Sequence, residues 1–187
     1  MIFETIIIST DAQGVAHVTP FGVKHEGDLV VISPFRPSKT LDNILTSQCA
    51  TMNLTDDVRI FAGALTKREP WDLLPTNKIK GFRLDACLTH VELELAEVRE
   101  NDQRPQLVMQ KVAVTHHEGF GGFNRAQAAV IELAVLASRL HMLPIEKVET
   151  ELKYLQIAID KTAGERELEA WGWLTERINH YYEEHQT

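Results

Sequence analysis

Two hydrophobic patterns share this chain. As far as residue 118 the apolar residues come in short runs bounded by turn signals; beyond it they recur at helical spacing. Phe3 to Ser9 is rich in β-branched residues and runs into the turn signal Asp11 to Gly14. Val15 to Pro20 alternates apolar and polar positions, Gly22 to Lys24 continues extended, and His25 to Asp28 reads as a hairpin turn into a strand at Leu29 to Ser33. The stiff loop Pro34 to Pro37 follows. Ser38 to Gln48 carries Leu41, Ile44 and Leu45 at helical spacing, which predicts a short helix. Cys49 to Leu54, Val58 to Leu65, Ala86 to Val98 and Gln106 to His116 read as further strands, the third with one slip in its alternation. Many short strands, hairpin turns and one short helix predict a closed barrel rather than a βαβ layer fold.

The remainder reads as three helices. Asn124 to Gln127 has the form of a capping box and opens an alanine-rich helix running to His141. Pro144 suits a first helical position, and Ile145, Val148, Leu152, Leu155 and Ile159 make an apolar stripe behind it. Ala163 and Gly164 break the chain before a third stripe of Leu168, Trp171, Leu174, Ile178 and Tyr181. Such stripes serve a core or a dimer contact. The expected class is α+β, mainly β: a barrel over residues 1–118 and a three-helix extension over 119–187, packed on the barrel or on a dimer partner.

Composition narrows the functions. The 187 residues are 44% hydrophobic and 25% charged, as in an ordinary globular protein, with a formal net charge of −8. That balance excludes a general nucleic-acid binder but not one small anionic ligand held by local dipoles. The two cysteines, Cys49 and Cys87, form no C-x-x-C and sit in apolar stretches, so buried free thiols in a reducing compartment are expected, and no metal site. Adjacent His116 and His117 on a strand point to opposite faces and do not share one metal. No stretch is long and apolar enough to span a membrane, and the N-terminal run has no basic segment before it; the protein reads as cytoplasmic.

The segment Ser33 to Asn43 carries the candidate chemistry. Ser38 is a good helix cap, and the first turn behind it exposes unpaired N–H groups at the positive end of the helix dipole. Hydroxyls of Ser38 and Thr40 and the charges of Arg36 and Lys39 would together suit a phosphate dianion. On spacing alone a capped surface helix with two basic residues fits equally. Trp71, in the loop Lys67 to Pro75, reads either as a loop anchor or as an aromatic cover for a ligand held by a second subunit. Gly119 to Phe123 is either a tight turn or an anion cradle, and it leads to Arg125, a second candidate phosphate or substrate contact.

A strand ending at Ser33, the loop Arg36 to Thr40, the helix start Asn43-Ile44 and the strand Thr51 to Leu54 resemble the flavin reductase-like branch of the FMN-binding split-barrel superfamily. Gly14 to Gly22 is similar to that family's second strand. Glu118 to Gln127, followed by Ala129 to Glu132 and Ser138-Arg139, resembles a branch of unknown function with a C-terminal helical extension, found in methanogens and methylotrophs. The resemblance implies a split β-barrel with a C-terminal helical subdomain, FMN as cofactor, and a homodimer with flavin at the subunit interface. It places Arg36, Ser38, Lys39 and Thr40 at the phosphate, His17, Thr19 and Gly22 along the ring or ribityl chain, and Asn53 and Thr55 at the ring edge. It implies a flavin-dependent oxidoreductase or flavin reductase of unknown substrate, in reach of methanopterin-type one-carbon metabolism, with no catalytic side chain assigned. A non-catalytic FMN or small-molecule binding protein and, lower, a haem-binding split barrel are the alternatives.

Overall fold

Six strands close into an antiparallel barrel in the computed structural model, which describes residues 1–69 and 71–185. Pro70, within the loop read at Lys67 to Pro75, and the last two residues of the 119–187 extension lie outside the described residues. The strands are β1 (Ile2–Thr10), β2 (Ala16–Glu26), β3 (Leu29–Ile32), β4 (Cys49–Leu54), β5 (Leu73–Pro75), β6 (Phe82–Leu84), β7 (Thr89–Arg99) and β8 (Gln106–His116). The barrel order is β1-β2-β3-β8-β7-β4, and β4 returns to β1 with Ile7 opposite Met52. β5 and β6 form a separate two-stranded hairpin.

The first turn forms as its residues predict. Asp11 Oδ1 accepts from the N–H groups of Gln13 and Val15 at 3.0 and 2.9 Å, and Gly14 takes φ 80°, where a side chain would be strained. Val15 to Pro20 and Gly22 to Lys24 join in one long strand, β2. Inward-facing Ile7, Val23, Ile32, Met52, Leu93 and Met109 fill the barrel. Helix α1 (Lys39–Ser47) adds Leu41 and Ile44 to that core, starts on Ser38 and ends on Gln48 in the left-handed region. The phase slip in β7 corresponds to irregularities between Glu92 and Leu93 and between Leu95 and Glu97.

Alternation leaves Thr51, Asn53 and Glu92 on the outer face of β4 and β7, yet each is 0% exposed. The segment 76–84 covers them and is bonded to each. Thr51 donates to the Phe82 carbonyl at 2.7 Å, Asn53 Oδ1 accepts from Leu84 N–H at 3.0 Å, and Glu92 accepts from the N–H groups of Asn77, Lys78 and Ile79. Cys49 and Cys87 are free and buried, with their thiols on the carbonyls of Lys80 and Leu84.

The chain divides into two compact units, Met1–Thr55 with Trp71–Phe120 and Asp56–Pro70 with Gly121–Thr187. The expected strand at Val58 to Leu65 is instead helix α2 (Arg59–Thr66) and belongs to the second unit, so the division at residue 118 is interrupted by an excursion. An eight-residue apolar run does not distinguish strand from helix by period; here Asp57 receives Arg59 N–H at 3.1 Å and Lys67 closes the other end at φ 58°. Asp57 also holds the Arg59 guanidinium in a two-point pair, at 2.9 Å from Nε and 2.6 Å from Nη2.

In this unit α2 joins α3 (Arg125–Ala137), α4 (Ile145–Thr162) and α5 (Glu165–His185) around Ala62, Val130, Leu133, Trp171, Leu174 and Ile178. Asn124 caps α3 by accepting from Ala126 and Gln127 N–H, while the Gln127 side chain reaches Glu167 rather than closing the box. The helix expected to run to His141 stops at Ala137, and the chain tightens into a 3₁₀ turn at Leu140–Met142. Pro144 is the cap of α4 rather than its first residue. No helix among the described residues is long and apolar enough to cross a membrane.

Candidate functional site

The β3–α1 connection is braced before it presents anything to solvent. Arg36 N–H donates to Gln103 O at 2.9 Å, Arg104 Nε donates to Ser33 O at 2.9 Å, and the Arg104 guanidinium lies 4.5 Å from the Phe35 ring centroid. The Arg36–Pro37 bond is cis. Ser38 then accepts from Leu41 N–H at 3.2 Å. The amides of Lys39 and Thr40 precede the first intrahelical donors and sit at the positive end of the helix.

Beside this helix start lies a polar cluster from β2. Thr19 Oγ1 is 2.7 Å from His17 Nε2. Burial, and then the positive charge of Lys39, hold the His17 imidazole below its ordinary pKa, so it is neutral at physiological pH. Behind it, Ser9 pairs with His17 across the strands and accepts from the buried Asn43 amide of α1 at 3.1 Å. The structure therefore unites Lys39, His17 and Thr19 at one helix start.

The other expected residues fall differently. Arg36 turns to Glu100 at 3.3 Å, both side chains being largely in solvent. Thr40 is 2% exposed, so its hydroxyl is not presented. Gly22 serves close packing within the chain: a Cβ there would meet Ile2 Cγ2 at 2.8 Å and Glu4 Oε1 at 3.2 Å. Asn53, expected at a ring edge, has its amide committed to Ile6 O, Thr51 Oγ1 and Leu84 N–H, leaving no group to reach out. Thr55 and Trp71 are half-buried and flank the excursion into the helical unit. Arg125 is exposed at the first position of α3, in that helical unit.

Two features escaped the sequence reading. One is a cleft of about 690 Å³ lined by Thr10, Asp11, Gly14, Ser47, Lys80 and Phe82, at the C-terminal end of α1 and so at the opposite end from the Lys39 cluster. The other is a set of side chains on the covered face of β7. His90 Nδ1 lies 2.9 Å from His117 Nε2, His90 Nε2 lies 3.5 Å from Glu92 Oε1, and Cys87 is adjacent. The two rings are nearly parallel with centroids 5.1 Å apart, but their closest nitrogens are at hydrogen-bond distance, so they meet edge to edge in plane rather than face to face. In the sequence only the C-x-x-H spacing of Cys87 and His90 hints at it; the second histidine, His117, follows β8, 27 residues away.

The six-stranded antiparallel barrel is a fold shared with flavin reductase-like split barrels. Two family models match in succession, "Protein of unknown function (DUF447) N-terminal domain" over residues 3–118 and "Protein of unknown function (DUF447)" over 124–176. The chain belongs to the DUF447 family. An FMN-bound protein of that family from Methanosarcina mazei shares its fold at TM-score 0.80 and 21% identity, over 94% of each chain. 2-Nitrobenzoate 2-nitroreductase from Pseudomonas fluorescens is similar at TM-score 0.55 and 20% identity, over 61% of this chain and 64% of its own. Flavoredoxin from Methanosarcina acetivorans is similar at TM-score 0.51 and 13% identity, over 62% and 68%. No curated protein matches the chain.

Proposed function

We propose that this protein binds FMN, with the phosphate at the start of α1, and works as a flavin-dependent oxidoreductase or flavin reductase. The observation that carries the reading is the meeting of Lys39, His17 and Thr19 at a helix N-terminus. The FMN-bound Methanosarcina mazei relative, similar over nearly the whole chain, supports it. Lys39 supplies charge and a first-turn N–H donor, and Thr19 supplies a hydroxyl. His17 is held neutral, able to take up a proton when a dianion arrives beside it. Arg36 leaves only an exposed ion pair with Glu100, worth roughly 0–1 kcal/mol, so its turn to a phosphate costs little.

FMN, when bound, supplies hydride and electron transfer; the chain binds, orients and shields it. Exposed apolar side chains on barrel strands, Ile2 and Phe3 on β1 and Val112 and Val114 on β8, support a homodimer that completes the flavin site. The buried free thiols fit a reducing compartment. The link to one-carbon chemistry rests on the resemblance alone.

The test is the absorbance spectrum of the purified protein, followed by FMN titration of Lys39→Ala. A flavin spectrum, and about tenfold or greater weakening in the variant, is expected. Protein that is colourless and gains no signal with FMN refutes the reading, and a Soret band would give the haem alternative instead. Stopped-flow reduction by NAD(P)H separates the enzyme from a binding protein, which would hold FMN without turnover.

A further inference from the structure

We propose that Cys87, His90 and His117 form a binding site for a zinc-class divalent cation. One ligand atom from each residue lies within 4.8 Å of the other two. Thiolate and imidazole together select zinc and its borderline-soft neighbours over magnesium or calcium. The two imidazole nitrogens, 2.9 Å apart, must separate to the roughly 3.3 Å that tetrahedral zinc imposes at Zn–N bonds of about 2.0–2.1 Å, and the rings, which now meet in plane, must turn so that both lone pairs converge on the ion.

A second observation is independent of that clustering. His90 is 1% exposed, and its Nε2 is a buried nitrogen without a hydrogen-bond partner. It faces Glu92 Oε1 at 3.5 Å. A metal-bound imidazole characteristically donates its other ring N–H to a carboxylate, which fixes tautomer and orientation. With Nδ1 on a cation, the His90 Nε2–H would point at Glu92 and closure by a few tenths of an ångström would complete the bond. Glu92 is already fixed by three backbone N–H groups, at 3.1, 2.7 and 2.8 Å.

The backbone holds the three residues close. Leu88, next to Cys87, donates its N–H to Leu54 O and accepts from His117 N–H at 2.8 Å, which ties the end of β8 to the start of β7. His117 is exposed, so an ion has an entry path, and a fourth position remains for water. The surrounding charges are mixed. Arg83 opposes a cation, while Glu92, Asp85 and Glu118 favour one. Binding displaces one proton, from the Cys87 sulfur to solvent, and breaks its bond to Leu84 O; His117 frees Nε2 by carrying its proton on Nδ1.

The test uses the full chain, stripped with chelator, dialysed, and titrated calorimetrically with zinc chloride. One equivalent per chain is expected, weakened at least tenfold by His117→Gln and by Cys87→Ser. His117→Gln decides the matter if Cys87→Ser unfolds, because His117 lies at the surface. Cobalt(II) loading reads the same site through its thiolate charge-transfer band, which Cys87→Ser removes and an adventitious histidine site would not produce. Absence of zinc uptake by the wild type, or an unchanged affinity in His117→Gln, overturns the proposal.

Discussion

Glu92 is the side chain whose removal the fold should feel most sharply. It is 0% exposed and holds three consecutive backbone N–H groups of the segment over β4 and β7. Glu92→Gln preserves shape but replaces the carboxylate with one acceptor and one donor. If the amide oxygen keeps Lys78 and Ile79, two charge-assisted bonds become neutral ones, and the new NH₂ faces the Asn77 donor. Bonds to a charged group contribute about 1.5–3 kcal/mol each and neutral bonds about half that, so two weakened bonds and one lost bond together cost about 3–6 kcal/mol. For a chain of this length that lowers Tm by roughly 6–24 °C. The pH dependence carries the sign. Burial alone would raise the Glu92 carboxyl; the N–H groups of Ile79, Asn77 and Lys78, with His90, outweigh it and hold the pKa below the usual range. Its contribution is therefore present above the unfolded-state value of about 4.5 and is lost as pH falls through the lower folded value. Circular-dichroism melts should show the full gap between wild type and variant at pH 7 and a narrowing gap below about pH 4.5. Equal Tm values at pH 7, with unchanged hydrogen exchange at the Asn77 to Ile79 amides, would refute the reasoning.

Three further outcomes follow from the same geometry. His17, His25, His90 and His117 are all held below the ordinary histidine range, burial being the largest cause in each. The unfolded chain then binds more protons, so urea midpoints should fall as pH drops from about 6.5 through the folded values, and His17→Gln should flatten part of that slope. Asp57→Ala removes the two-point pair on Arg59 at the start of α2 and should cost about 2–4 kcal/mol, because Asp57 is buried while Arg59 retains some solvent; a melt unchanged within about 2 °C would contradict it. Thr51→Val combined with Glu92→Gln should cost less than the sum of the two single variants, since both pin the segment 76–84; additive free energies would mean that its parts are held independently.

The barrel was legible because its strands are short apolar runs, β-branched in β1, set between turn signals, and their turns carry glycine where φ is positive, at Gly14 and Gly27. The helical stripes were legible for the matching reason, a sustained period near 3.6. Reading failed where the period was too short to speak. Ile60 to Leu65 is apolar throughout, and its assignment to a helix depends on Asp57 and on packing against residues more than a hundred positions later. β5 and β6 have three residues each, and what holds them in place is the outer face of β4 and β7, which no local pattern reveals.

The site shows the same division between local and distant causes. The cap at Ser38 and the charge at Lys39 were readable because a helix start is a local device. Asn53 shows that residue type reports what a side chain can bond, not which bonds it has already made. An amide at a strand end looks available for a ligand until the segment 76–84 is laid across it and takes its oxygen. Polar residues at alternating positions on β4 and β7 would ordinarily mean a solvated face. At 0% exposure they mean a face covered by backbone, whose N–H and C=O groups Thr51, Asn53 and Glu92 satisfy. That cover also walls the cleft beside Lys80 and Phe82, and Glu92 both anchors it and faces His90. Asn53, expected beside a ligand, thus acts with Thr51 and Glu92 to fix the covering segment, and Glu92 also faces the buried His90 imidazole.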